Sequence, residues 1–214
     1  PPPLEFTVEE VRAIISRLLG RRSPGADGVT YDHVKRCKQT LAPVFTIIMN
    51  ICARNKRVPA DWKHSIITLV PKKNGDPDNI EDWRPISLLC TSYKLYMKLI
   101  QQRLVPWIVQ THRLSSRQKG SMPRNGLQEH VFTLKTNIVD FLHQSSKMYV
   151  GYIDIKDAFG SIDHELMISE MTEMGYPEQV VAITRDIYTN STFQVKTARG
   201  LTQPITRHKG IIQG

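Results

Sequence analysis

Residues 149–164 read YVGYIDIKDAFGSIDH, and this stretch decides how the rest of the chain is interpreted. The run from Tyr149 to Ile155 is rich in aromatic and β-branched residues and has the length of a buried strand. Asp154 interrupts that run. A carboxylate buried alone would be costly, so we expect Asp154 to meet a cation, a metal ion or solvent at a sheet edge. The alternative is an aspartate that caps the following turn.

Further motifs lie upstream and downstream of this stretch. Residues 83–89 read WRPISLL, residues 210–214 read GIIQG and residues 23–28 read SPGADG. The segment DIKDAF within the central stretch resembles the first palm motif of reverse transcriptases. WRPISLL resembles their fingers motif, and GIIQG resembles their Gly-x-x-Gln-Gly motif, in the same order along the chain. SPGADG, together with the segments at 118–120 and 129–130, is similar to the LINE-like branch, the non-LTR retrotransposons.

The resemblance implies a fold and a domain organisation. The expected class is α+β, a right-hand polymerase fold in which helix-rich fingers carry a β-hairpin and part of an antiparallel palm sheet packs on helices. Residues 1–146 would form the fingers with an N-terminal extension and supporting helices, and residues 147–214 the N-terminal part of the palm. The family's Asp-Asp motif would follow Gly214, so we expect a fragment that stops before that motif, the thumb and any endonuclease domain.

The resemblance also implies a catalytic chemistry. Nucleotidyl transfer uses two divalent cations, and hard oxygen ligands suit Mg²⁺. Asp154 matches the catalytic metal ligand, and the peptide oxygen of Ile155 matches a second ligand. Phe159 stands at the aromatic position that excludes a 2′ hydroxyl; it could otherwise be a core residue. Many relatives have an aspartate where this chain has Gly160, which puts a helix cap or salt link there in doubt.

Other positions match groups that hold the incoming nucleotide. In the family, the fingers hairpin folds over the nucleoside triphosphate. Lys72 or Lys73, and Arg84, match the lysine and the arginine that grip the triphosphate, because guanidinium pairs with phosphate through two donors while lysine supplies a compact charge. Solvated lysines in a turn are the alternative for Lys72 and Lys73. Gln213 would hydrogen-bond near the template base or the nucleotide.

A third group of positions is expected to contact template RNA and the DNA primer or nicked target DNA. Arg21 and Arg22 precede a glycine-rich break whose amides could hold a phosphate, or which could be a tight turn between helices. Basic side chains in an irregular segment could follow a template backbone, and glycines could let the chain approach nucleic acid closely. These residues are Arg117, Lys119, Arg124, Gly210 and Gly214.

The composition agrees with a polyanionic partner without proving one. Lysine and arginine number 29 against 20 acidic residues, a formal charge of +9, which also occurs in unrelated proteins. We interpret Cys37, Cys52 and Cys90 as reduced thiols, buried as small apolar residues. The longest apolar run, 44–53, is too short and too polar to span a bilayer, and no signal peptide opens the sequence. We therefore expect an intracellular protein without a membrane partner, and the resemblance implies a nuclear one.

Local patterns predict most of the secondary structure. Thr7 to Glu10 is a capping box, followed by a helical face that includes Leu18 and Leu19. A helix from Gly126 to about His143 is expected to pack beneath the palm sheet. The remaining elements are helices at 31–37, 41–55 (with Pro43 in its first turn), 93–108, 163–174 and 177–188, and strands at 63–71, 83–89 and 192–197.

The resemblance implies an RNA-directed DNA polymerase of a non-LTR retrotransposon, which extends a DNA primer on an RNA template. Priming from a nicked chromosomal end is implied by the resemblance alone. Two alternatives stay open. One is a group II intron maturase, which shares the palm motifs but is less similar in the two upstream motifs. The other is a domesticated RNA-binding protein without activity, which the absence of a downstream Asp-Asp pair would favour.

Overall fold

A five-stranded mixed sheet joins residues 64–88 to residues 192–206. The computed structural model describes residues 3–115, 117–122, 126–144 and 147–212. It divides into two compact units, one made of Pro1–Val105 with Asp157–Gly214 and the other of Pro106–Lys156. The architecture is mixed α/β, and the described residues form seven α-helices around the small sheet.

The sheet is built on the predicted hairpin. Its strands β1 and β2 pair antiparallel, with Val70 opposite Arg84. β3, from near the end of the chain, pairs parallel to β1, with Ile66 opposite Gln194, and antiparallel to both β4 and β5. The strand bounds are His64–Pro71 (β1), Trp83–Leu88 (β2), Thr192–Thr197 (β3), Gly200–Leu201 (β4) and Ile205–Thr206 (β5). The hairpin is thus present as predicted. The sheet is mixed, because β1 and β3 are parallel, whereas part of an antiparallel palm sheet was expected.

Some of the helices begin at local capping signals. Thr7 accepts a hydrogen bond from the Glu10 amide and Glu10 accepts one from the Thr7 amide, which confirms the capping box. Asp163 caps a later helix as predicted, and Pro177 precedes the next. The helices are Val8–Ser16 (α1), Tyr31–Arg36 (α2), Lys38–Asn55 (α3), Thr91–Gln110 (α4), Gly126–His143 (α5), His164–Glu173 (α6) and Glu178–Tyr188 (α7). Among these helices none is long and apolar enough to cross a membrane.

The core of the larger unit lies between its helices and the sheet. Tyr96 of α4 is completely buried, and its ring packs against Phe6 at 6.0 Å and Trp62 at 5.4 Å between ring centroids. Leu19 is 66% exposed, so its predicted burial is wrong, because α1 ends at Ser16 and no longer directs it inward. α3 begins at Lys38, which places Pro43 beyond the first turn that we predicted for it.

The smaller unit is centred on α5. The Lys119 ammonium pairs with Glu129 at 2.6 Å, and Gly126 packs so closely on Lys119 that a Cβ would stand 2.5 Å from the Lys119 Cβ. The helix has the predicted bounds, but most of its apolar stripe is exposed, with Leu127 77% and Leu142 71% accessible. Packing of α5 beneath the palm sheet therefore stays a prediction.

Residues 149–155 do not form the predicted strand. They are irregular, with Tyr152 83% and Ile153 95% exposed. A strand is stabilised by a hydrogen-bonded neighbour and by cross-strand side-chain pairs. None of the strands in the described sheet pairs with this segment. The apolar pattern therefore predicted burial that the described residues do not supply.

Candidate functional site

Asp154 and Ile155 lie in the exposed irregular segment of the smaller unit, and Ile155 is 69% accessible. A carboxylate and a peptide oxygen are the donors that a hard cation such as Mg²⁺ prefers. Within the described residues, however, no group of three or more His, Cys, Asp and Glu side chains is placed to share a metal ion. These residues therefore fit part of a metal site and do not complete one.

A tight turn follows Asp154 in the sequence and opens the second part of the larger unit. Asp157 has a positive φ of 49°, and its carbonyl accepts a hydrogen bond from the Ser161 amide at 3.0 Å. The Asp157 carboxylate folds back over Gly160, where an added Cβ would stand 2.3 Å from Oδ2. In this conformation of the turn, a side chain at Gly160 would require the Asp157 carboxylate to move.

The turn is joined to the end of the described chain through the main chain. The amide of Gly210 donates to the carbonyl of Ile162 at 2.7 Å, and the amide of Ile211 donates to the carbonyl of Phe159 at 2.8 Å. Gly210 is buried with φ of 82°, and a Cβ there would meet the Gly160 oxygen at 2.8 Å. The central motif and the Gly-x-x-Gln-Gly motif therefore meet at Phe159, Gly160 and Gly210.

Two side chains that the sequence did not single out hold this junction. His164, the first residue of α6, donates from Nε2 to the Gly210 carbonyl at 2.9 Å. Its ring packs on Tyr188 with centroids 4.6 Å apart, and the Tyr188 hydroxyl accepts from the Ile212 amide at 3.3 Å. Burial raises the pKa of Tyr188, so the phenol stays protonated. The pattern offered no signal for this pairing, since α6, α7 and residues 210–212 are separate in sequence.

Arg207 precedes Gly210 in the chain and lies near Tyr188. Its guanidinium stacks over Phe193 at 5.1 Å from the ring centroid and donates to the Ser65 hydroxyl at 3.3 Å. Burial lowers the pKa of Arg207, and the nearby Tyr188 and Tyr93 oppose that effect. Because the amide of Arg207 also donates to Ser191 at 2.8 Å, this residue ties the segment before Gly210 to the sheet.

The basic groups of the hairpin differ in their surroundings. Lys72 donates from Nζ to the Glu81 carbonyl at 2.7 Å and lies 4.0 Å from the Asp82 carboxylate. Lys73 and Arg84 are both exposed. Among the described residues, the side chain of Lys73 forms no hydrogen bond and no ion pair, and the same holds for the side chain of Arg84. Arg84 stands opposite Val70 in the ladder. Of the two lysines, Lys73 is thus the better placed to meet a ligand.

The glycine-rich break near the amino end is attached to the base of the hairpin. Gly25 is buried against the main chain at the end of β2, where a Cβ would stand 2.4 Å from the Cys90 nitrogen. The Thr91 hydroxyl donates to the Val29 carbonyl at 2.6 Å. Arg21 and Arg22 are exposed beside this loop, and the Arg21 amide donates to Asp32 at 3.0 Å. The loop is a docked turn that leaves the two guanidinium groups accessible.

The remaining predicted nucleic-acid contacts are partly described. Arg117 is exposed, while Lys119 is engaged by Glu129 at 2.6 Å. The close approach that Gly210 makes in the structure is to Gly160; its contact with nucleic acid stays a prediction. Arg124, Gln213 and Gly214 lie outside the described residues.

Comparison with known proteins gives a family match over most of the chain. A family model described as "Reverse transcriptase (RNA-dependent DNA polymerase)" matches residues 70–214. The matched region begins in the β1–β2 hairpin and includes both motifs that meet at Gly160 and Gly210.

Individual relatives extend the similarity to the amino end. The transposon TX1 uncharacterized 149 kDa protein of Xenopus laevis is 27% identical over 98% of this chain and 16% of its own length. The probable RNA-directed DNA polymerase from transposon BS of Drosophila melanogaster is 26% identical over 100% of this chain and 23% of its own length. The retrovirus-related Pol polyprotein from the type-1 retrotransposable element R2 of Bradysia coprophila is 27% identical over 82% of this chain and 19% of its own length. The chain thus spans less than a quarter of each of these relatives.

Proposed function

Since the chain belongs to the reverse transcriptase family, we propose that it is part of an RNA-directed DNA polymerase encoded by a non-LTR retrotransposon. The family resemblance drawn from the motifs is confirmed by the match over residues 70–214. The observation that carries the proposal is that this match includes both the aspartate motif and the glycine motif, at whose junction Phe159 and Ile211 are hydrogen-bonded. In the proposed right-hand fold, residues 1–146 form the fingers and residues 147–214 the first part of the palm.

The catalytic role in this proposal belongs to Asp154. Its carboxylate and the peptide oxygen of Ile155 would hold Mg²⁺, and the two ions of such a site activate a primer 3′ hydroxyl and stabilise the leaving group when bound. The exposure of Asp154 supports this role, because a carboxylate in solvent is available to a ligand. The further ligands of a two-ion site are proposed to come from the Asp-Asp motif of the whole protein.

Nucleotide binding is assigned to the hairpin and to the turn after Asp154. Arg84 and Lys73 would meet the triphosphate, because both side chains are exposed on the hairpin. Lys72 would contribute less, since Glu81 and Asp82 already engage it. Phe159, which is 49% exposed, would stand under the sugar and reject a 2′ hydroxyl by shape.

Template and primer contacts are assigned to the exposed basic groups. Arg21 and Arg22 lie beside the docked loop, and Arg117 is accessible in the smaller unit. Neutralising backbone phosphates would make binding fall steeply with salt. We place the protein in the nucleus, where a nicked target DNA would supply the primer. An intron maturase is not favoured, since the relatives are named as proteins of transposons and retrotransposable elements.

The test is RNA-templated primer extension by the full-length polypeptide that carries this chain, with Mg²⁺ and deoxynucleotides. We compare the wild type with Asp154→Ala and with Asp157→Asn, a nearby change that keeps the size of the side chain and tolerates the positive φ. Extension by the wild type and Asp157→Asn, with loss in Asp154→Ala, supports the proposal. A folded wild type that binds RNA but extends nothing on several templates would favour the non-catalytic RNA-binding alternative.

A further inference from the structure

The junction between the central motif and the Gly-x-x-Gln-Gly motif is formed mainly by main-chain hydrogen bonds. The few side chains that contact it are therefore candidates for residues that position it. The Phe159 carbonyl and the Ile211 amide form one link, and the Ile162 carbonyl and the Gly210 amide form another. Both use main-chain amides of residues 210–211. The Gly210 carbonyl is bound instead by the imidazole of His164. Gly210 is buried, so water is poorly placed to replace that donor.

His164 is itself held in a defined orientation. Its ring is half-buried and packs on the ring of Tyr188, with centroids 4.6 Å apart and planes tilted by 35°. Because the Gly210 carbonyl can only accept, Nε2 of His164 must carry the proton in this contact. Tyr188 also accepts from the Ile212 amide at 3.3 Å. One histidine and one tyrosine, from the start of α6 and the end of α7, thus bind the main chain of residues 210–212 in addition to the Phe159 carbonyl.

We infer that His164 is a positioning residue for sugar discrimination, acting through Gly210 and Ile211 on Phe159. This inference rests on the proposed function and deepens it. The Phe159 main chain is fixed by its bond to the Ile211 amide, and the position of Ile211 depends on the anchored Gly210 before it. Losing the His164 donor lets residues 210–212 shift, and the aromatic ring of Phe159 shifts with them. A ring displaced by a fraction of an ångström no longer excludes the 2′ hydroxyl efficiently.

The variants separate the hydrogen bond from the packing. His164→Phe keeps a ring on Tyr188 and removes the donor, whereas His164→Gln removes the ring and keeps an N–H donor. Tyr188→Phe keeps the ring under His164 and removes the acceptor for Ile212. Glu165→Gln is the matched control, because Glu165 is the next residue on α6 and pairs with Arg185 of α7 at 2.6 Å without touching Gly210.

The experiment measures kcat/KM for dCTP and for CTP in RNA-templated extension by the full-length polypeptide, together with the melting temperature of each variant. We expect His164→Phe to lower the preference for dCTP over CTP about tenfold, a change that loss of one hydrogen bond to a buried carbonyl can produce. Tyr188→Phe should change it in the same direction. Both His164→Gln and Glu165→Gln should stay within about threefold of the wild type.

Each other result overturns the inference. If His164→Phe lowers kcat/KM for dCTP and CTP by the same factor, the histidine is only structural. If Glu165→Gln lowers the preference as much as His164→Phe does, general packing of α6 on α7 is responsible. If His164→Phe does not fold, an unchanged preference in Tyr188→Phe overturns the inference. A wild type that extends no primer overturns the proposed function as well, and so is distinguishable from these outcomes.

Discussion

Gly210 lies against the main chain of Gly160, so closely that a Cβ on Gly210 would stand 2.8 Å from the Gly160 oxygen and 3.0 Å from its α-carbon. The two glycines come from different motifs and meet without any side chain between them. Gly210 is therefore required both by its own positive φ and by the backbone of Gly160.

Gly210→Ala is expected to destabilise the protein by two effects. Its φ of 82° is unfavourable for alanine, and the added methyl group meets fixed backbone rather than a movable side chain. Gly28 has a similar φ of 66° but nothing within 4 Å of its Cβ position, so Gly28→Ala should cost only the conformational part, about 1–2 kcal/mol. We expect Gly210→Ala to cost about 1–3 kcal/mol more, measured by urea unfolding. Equal losses for both variants would show that the contact with Gly160 is unimportant.

Gly25→Ala tests the docking of the amino-terminal loop on the hairpin. A Cβ at Gly25 would stand 2.4 Å from both the Leu89 carbonyl carbon and the Cys90 nitrogen, and neither can move without distorting the end of β2. We expect a loss of stability of about 3 kcal/mol or more, because overpacking against the main chain is poorly relaxed. The same Gly28→Ala variant, in the same loop, is the control. A melting temperature close to that of the wild type would exclude the close packing.

Arg84→Ala tests the hairpin as a triphosphate site. Arg84 is exposed, so its removal should leave the melting temperature unchanged. Loss of hydrogen bonds to a charged phosphate should raise KM for deoxynucleotides about 10- to 100-fold with little change in kcat. Arg84→Lys retains the charge without the paired donors, so its KM for deoxynucleotides should lie between those of the wild type and Arg84→Ala. Steady-state extension kinetics at varied nucleotide concentration measure the effect, and an unchanged KM in Arg84→Ala would remove this residue from the site.

Phe159→Val tests the sugar filter directly. Shortening the side chain should admit ribonucleotides and lower the preference for deoxynucleotides about 10- to 100-fold, the range available to a steric contact of this size. Phe159→Tyr keeps the bulk and should keep the preference. The main-chain bond from Ile211 is retained in both variants, so the comparison isolates the side chain. Competition between dCTP and CTP on one RNA template measures it, and equal discrimination in all three proteins would place the filter elsewhere.

Local sequence signals predicted local structure well. The capping box at Thr7, the N-cap at Asp163 and the hairpin of β1 and β2 each depend on residues that are close in sequence, and each is present. Such interactions are determined by a few neighbouring residues, so a short stretch of sequence is enough to predict them. The family motifs likewise placed Arg84 and Phe159 on exposed positions, where a ligand could reach them.

Contacts between distant segments could not be predicted in this way. Nothing in the alternation of Thr192 to Thr197 specifies a parallel partner, and nothing around His164 specifies the Gly210 carbonyl. The strand expected at 149–155 is absent for the same reason. An apolar run favours a strand, but it does not determine which other strand would pair with it. The contact between Gly160 and Gly210 is likewise absent from any local pattern, because the two residues are 50 positions apart in sequence.

The parallel pairing of β1 with β3 also has a consequence for how the chain is made. His64 of β1 hydrogen-bonds Thr192 of β3 across 128 positions of sequence, whereas β1 and β2 are neighbours joined by a short connection. During synthesis the hairpin can close as soon as it leaves the ribosome, but its open edge must wait until β3 emerges. An exposed strand edge invites pairing with other chains. The interval before β3 arrives is therefore when this protein is most prone to aggregate, and shielding by a chaperone would matter most then.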